Sequence, residues 1–181
     1  MKKIIATTMT CSMLAGASVA LSGCSLLFWK KKEDASLVPF STIPSSAYQS
    51  FVKTWDDKAQ PVLCALIRSQ ADWNYWFQPA AATRSQRALT PSEEYFETRQ
   101  LLLATRVIQA PDAAERSQIF SADKVTMKDG VLKLEYRFVK PLSGATYKLK
   151  DFLLVEIPKE RYTTGPVVFV ENGSKVCQIA R

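Results

Sequence analysis

Lys128-Asp129-Gly130-Val131-Leu132-Lys133-Leu134-Glu135-Tyr136-Arg137-Phe138 carries a tight turn signal and then a strictly alternating strand. Glycine tolerates the positive φ that a type I′ turn demands, so Lys128-Asp129-Gly130 reads as a hairpin. Leu132, Leu134, Tyr136 and Phe138 point one way, and Lys133, Glu135 and Arg137 the other. A period of two means one buried face and one wet face. The same reading extends outward. Ile119 to Met127 is the partner strand before the turn. After the loop Pro141 to Tyr147, Lys148 to Ile157 is a strand stopped by Pro158. Val167 to Glu171 and Ser174 to Ile179 flank Asn172-Gly173, a second hairpin signal. Upstream, Gln100 to Ile108 and the short apolar run Val62 to Ile67 read as strands.

Two helices are expected near the start. Pro44-Ser45-Ser46 opens one that runs to about Asp57, because Ala47, Tyr48, Phe51, Val52 and Trp55 share one face of a 3.6-residue period. Ser69 is the expected N-cap of the second, with Asp72 three residues later and Trp73, Trp76 and Phe77 on one side. The stretch 78–94, small and polar with Arg84 and Arg87, is a long connection, either functional or mobile. Together these readings give an α+β fold: a mainly antiparallel sheet of about five or six strands with two N-terminal helices.

The start of the chain adds an address. Lys2 and Lys3 precede Ile4 to Ala20, which is uncharged and apolar or small throughout, and Leu21-Ser22-Gly23-Cys24 follows. This resembles a bacterial lipobox, in which cleavage falls just before a cysteine that becomes lipid-modified. The expected organisation is a signal peptide over 1–23, a lipid-anchored tether over 24–43, and one domain over 44–181. The resemblance implies that Cys24 carries the lipid. Ser25, in place of an aspartate after the cysteine, implies the outer membrane of a Gram-negative envelope, facing the periplasm. Lys30-Lys31-Lys32 sits beside the anchor, where it suits anionic headgroups or is simply solvated. Nothing after residue 24 reaches the roughly 18 continuous apolar residues of a membrane span.

Composition narrows the chemistry. Of 24 basic residues, cleavage removes Lys2 and Lys3, which leaves 22 against 17 acidic ones, about +5. The basic residues are scattered, with no interleaved aromatic platform, so no nucleic-acid partner is expected. Histidine is absent from the chain. That excludes Ser-His-Asp and Cys-His catalysis, and it excludes histidine-ligated zinc. No catalytic residue, metal site or cofactor is expected. Besides Cys24, the expected mature chain has only Cys64 and Cys177. Each lies in an apolar strand, and in an exported protein they are expected to pair; the alternative is two separately buried thiols.

Ile67-Arg68-Ser69-Gln70-Ala71-Asp72-Trp73-Asn74-Tyr75-Trp76-Phe77 resembles a recurrent opening of the PrcB C-terminal-like domain, found in protease-complex subunits, some of them lipoproteins. The order that follows is also similar: Gly130 to Val139 before Pro141, then Phe152 to Lys159, then Val167 to Val170. The likeness covers about residues 62–172. It implies a non-catalytic partner of an envelope or secreted protein, such as a protease. The leading expectation is therefore a lipid-anchored protein that binds, tethers or stabilises another, through a sheet edge or the helical side. Trp73 and Trp76 are the candidate partner-binding pair, or else they plug the helix onto the sheet. The alternatives are a pilotin-like lipoprotein of an envelope machine and, less favoured, an envelope-polymer hydrolase using Glu93 and Glu94.

Mass spectrometry of the envelope-extracted protein is expected to show a chain that starts at Cys24 with added lipid. A Cys24→Ala protein that is still processed and membrane-bound contradicts the lipobox reading.

Overall fold

The computed structural model describes residues 35–80, 88, 90–111, 118–142 and 146–180, all within one compact unit, Glu33–Arg181. The expected signal peptide, Cys24 and the first part of the expected tether lie outside the described residues.

The described strands are β1 (Ser36–Val38), β2 (Ser41–Ile43), β3 (Ser50–Val52), β4 (Leu63–Ile67), β5 (Phe77–Pro79), β6 (Arg99–Gln109), β7 (Phe120–Lys128), β8 (Val131–Phe138), β9 (Lys148–Pro158), β10 (Val167–Glu171) and β11 (Ser174–Ile179). Helix α1 spans Gln70–Trp76, and α2 is a single turn, Tyr95–Thr98. The first sheet has the order β1-β7-β8-β10-β11, the second β2-β9-β6-β4, and β3 pairs with β5. All pairings are antiparallel except β8 with β10. That one is parallel because the intervening β9 crosses to the other sheet. Strand accounts for 52% and helix for 12% of the described residues, so the fold is mainly β rather than α+β.

The first two sheets pack face to face. Val125, Leu132, Leu134, Tyr136, Val167 and Phe169 of the first meet Cys64, Leu102, Ala104, Leu153, Val155 and Ile157 of the second. The second sheet is covered on its other face as well. Leu63, Ala65, Ile67, Leu101, Leu103 and Leu154 pack there against Val52, Trp73, Phe77 and Phe96 of an outer layer built from β3, β5, α1 and α2. This explains the sequence texture. β8 alternates because one of its faces is wet, whereas Leu101 to Thr105 of β6 is buried at every position. The hairpin between β7 and β8 forms as expected, with Asp129 and Gly130 both at positive φ, and Asn172-Gly173 does the same between β10 and β11. Gly165 closes over the first hairpin: a Cβ there would lie 2.2 Å from the carbonyl oxygen of Gly130, so only glycine fits.

Only one of the two expected helices exists. Ser69 caps α1 by accepting from the Asp72 N–H at 3.0 Å, and the Asp72 carboxylate accepts from the Arg68 N–H at 2.8 Å. Residues 44–57 instead turn at Pro44 and form β3. The apolar positions that suggested a helical stripe are divided by a strand: Ser50 and Val52 point in, and Phe51 points out. Pairing with β5 settles the competition, since Val52 faces Phe77 and the Lys53 N–H donates to the Trp76 carbonyl. A helix of that length alone is marginal in water. The second correction concerns residues 36–43, expected to be tether. There β1 lies along β7 and β2 along β9, and Val38 enters the core. Pro39 sits where the chain switches sheets and no ladder hydrogen bond is required.

Both flanks of the sandwich are thereby tied. On one side the β1–β2 segment spans the two sheets. On the other, edge strands β4 and β11 are joined by the Cys64–Cys177 disulfide, with Cα atoms 6.3 Å apart across a sequence separation of 113. A loop of that size is worth at most about 4.7 kcal/mol in the chain-entropy model. Urea unfolding with and without reductant is expected to show the reduced protein less stable by about 2–4 kcal/mol. Equal stability of the two forms contradicts a bond that restrains this fold.

Candidate functional site

The ends of three strands meet at one pole of the sandwich. Gln109 at the end of β6 pairs with Lys148 at the start of β9, and Phe138 ends β8 opposite Phe120 of β7. Here the core closes with a polar clasp. Arg106 of β6 grips Glu171 of β10 with two hydrogen bonds, Nη2 to Oε1 at 2.5 Å and Nε to Oε2 at 3.0 Å, and the Tyr136 hydroxyl donates to Oε2 at 3.0 Å. Glu171 is buried, so the pair crosses between the sheets in a poorly solvated setting. Such pairs contribute register more than net stability, but losing one partner strands a charge. The hydrogen bonds that Arg106 donates to Glu171 hold its guanidinium above its ordinary pKa, while burial and the Glu171 charge push the Tyr136 hydroxyl up. Asp151 is the cross-strand neighbour of Arg106 and is also buried.

The guanidinium lies 4.8 Å from the centre of the Phe138 ring. Phe138 is fixed in turn by Asn172, whose side-chain amide accepts from the Phe138 N–H and donates to its carbonyl. Outside the clasp is an open cleft of about 300 Å³, lined by Arg106, Ile108, Phe138, Lys140, Pro141 and Lys148 among others. Arg106 is already engaged with Glu171. Lys140 and Lys148 are exposed and have no ion-pair partner among the described residues. Around them Val139, Tyr147 and Leu142 are exposed, Leu142 at 92%. An apolar floor, two outward ammonium groups and an exposed apolar rim make a binding surface.

The residues singled out in the sequence lie elsewhere. Trp73 is buried, stacked on Phe77 at 4.1 Å and edge-on to Tyr48 at 5.0 Å. Its indole N–H has no acceptor among the described residues. It belongs to the outer core and presents nothing to a partner. Trp76 is half-buried and edge-on to the exposed Tyr75 at 4.7 Å. Glu93 and Glu94 are exposed in the turn that begins α2, where the Glu93 carbonyl accepts from the Phe96 N–H. Cys64 and Cys177 are bonded as expected. Sequence reasoning missed the pole. Arg106, Phe138, Lys140 and Lys148 come from different strand ends, and only the inward parity of Phe138 was readable.

Comparisons with protein-family models, with curated proteins and with solved structures find no match to the chain.

The clasp carries a pH signature. The unfolded Tyr136 ionises near its ordinary 10.0, whereas in the folded protein it keeps its proton to higher pH. Its contribution is therefore complete below about pH 10 and is lost as pH rises further, at about 1.4 kcal/mol per pH unit. Denaturant melts from pH 8 to 11.5 are expected to show Tyr136→Phe less stable than the wild type at pH 8, with the gap narrowing above pH 10. A gap that does not change with pH contradicts the assignment.

Proposed function

We propose that this chain is a lipid-anchored, periplasm-facing protein of the outer membrane that binds, tethers or stabilises another envelope or secreted protein, without catalysis of its own. The observation that carries the reading is the pole described above, where cations with no ion-pair partner among the described residues and exposed apolar side chains surround a cleft on a braced framework. Large exposed apolar side chains gathered at one place are a mark of interaction surfaces. The lipobox resemblance of Leu21-Ser22-Gly23-Cys24 and the Cys64–Cys177 bond both suit an oxidising compartment outside the cytoplasm. The resemblance to PrcB C-terminal-like domains read from the sequence of residues 62–172 implies the same class of partner, a protein such as a protease.

Sheet edges offer less to a partner than the pole does. β1 and β2 are three-residue strands, β4 and β11 are joined by the disulfide, and β7 carries a register shift between Ala122 and Lys124 beside β1. Short, bulged or lysine-bearing edges discourage strand addition.

A photo-crosslinking residue placed at Leu142 or Tyr147 in cells is expected to give an adduct with a particular envelope protein, while the same residue at the exposed Lys58 gives none. Adducts at no position, or only with glycan, contradict the reading.

A further inference from the structure

We propose that the polar cleft takes an acidic polypeptide segment of the partner, with a carboxylate between Lys140 and Lys148 and a neighbouring apolar side chain against Phe138 and Pro141. This deepens the protein-binding reading and rests on it.

Charge sets the class of ligand. Arg106 is matched one to one by Glu171, and the buried Asp151, cross-strand from Arg106, does not line the cleft. Among the described residues, the outward charge of the cleft is that of Lys140 and Lys148. Two ammonium groups in a concave, partly apolar setting favour an anion, and such complementarity sets specificity and encounter rate more than raw affinity. Size sets the form. About 300 Å³ holds a few side chains and not the face of a folded domain. The floor gives the apolar part of the recognition: Phe138 is held in place by Asn172 and Arg106, and Ile108 is buried beside it.

The cleft lies away from the point where the described chain enters the sandwich. The chain joins the sandwich at Ser36, opposite Met127 and next to the Asp129-Gly130 turn. Phe138 lies at the far end of β8, eight residues and about 25 Å from that turn. The point where the described chain enters the sandwich and the cleft therefore lie at opposite poles of the fold.

The test uses the full mature lipidated protein in neutral detergent and a fluorescein-labelled hexapeptide of alternating glutamate and leucine. Saturable binding is expected, weakening as salt rises and falling by about tenfold or more in the Lys140→Glu/Lys148→Glu protein. Lys58→Glu is expected to bind as the wild type does, and the glutamine–leucine hexapeptide about tenfold more weakly or not at all. Equal binding of the neutral peptide, or unchanged binding by the double variant, overturns the proposal. So does crosslinking of position 142 to phosphatidylglycerol in proteoliposomes, which assigns the pole to a membrane surface. Lack of peptide binding while position 142 still crosslinks to a protein refutes the acidic class alone. Lack of both refutes the protein-binding reading with it.

Discussion

The ladder between β6 and β9 is the constraint on which the other parts of the structure depend. It runs unbroken from Arg99 opposite Pro158 to Gln109 opposite Lys148. Its side chains are sheltered on both faces: Leu102, Ala104, Leu153 and Val155 by the first sheet, Leu101, Leu103 and Leu154 by the outer layer. Burial on two sides roughly doubles the apolar area that the strand pair removes from water, at about 25 cal/mol per Å². It also removes any tolerance for slippage, because a one-residue shift would exchange the two cores. Everything else is placed against this ladder. β4 and β2 extend it, the first sheet packs across it, and α1 is held above it by Trp73.

A ladder that long must end somewhere, and its two ends differ. At one, Gly165 closes over the Gly130 carbonyl and the Pro166 carbonyl accepts from the Leu132 N–H, so backbone seals the core. At the other, side chains do the sealing. Arg106 comes off β6 with inward parity, and Glu171 and Tyr136 meet it from the opposite sheet. The clasp fixes the spacing of the two sheets at that pole and so the width of the cleft. Structural stability and the candidate binding surface thus share residues, and the exposed lysines are carried on a frame that cannot easily rearrange.

Much of this order was legible in the sequence. The β7–β8 hairpin announced itself through Asp129-Gly130 and four alternating side chains, and the Cys64–Cys177 pairing followed from cysteine count and strand placement. β4, β6 and β9 were readable as strands because their apolar runs are short and bounded. Their two-sided burial was not, since a run such as Leu101-Leu102-Leu103 does not say what covers it. Residues 44–57 misled because Tyr48, Phe51, Val52 and Trp55 satisfy a helical period, while the deciding contact, Val52 with Phe77, is remote in sequence. Residues 36–43 looked like tether because two short edge strands around a proline carry little pattern. The pole was invisible for a deeper reason: Arg106, Phe138, Lys140 and Lys148 are unremarkable one by one, and only the register of three strands brings them together.

Native-state hydrogen exchange tests the doubly buried ladder most directly. The amides of β6 and β9 that bond to each other, between Leu101 and Thr105 and between Leu153 and Ile157, are predicted to exchange only through global unfolding, with the slowest rates in the protein. Those of β1 and β2, held by three-residue pairings at the flank, are predicted to open through cheaper local events. If the β6 and β9 amides exchange as fast as those of β1 and β2, the ladder is not the element that organises this fold.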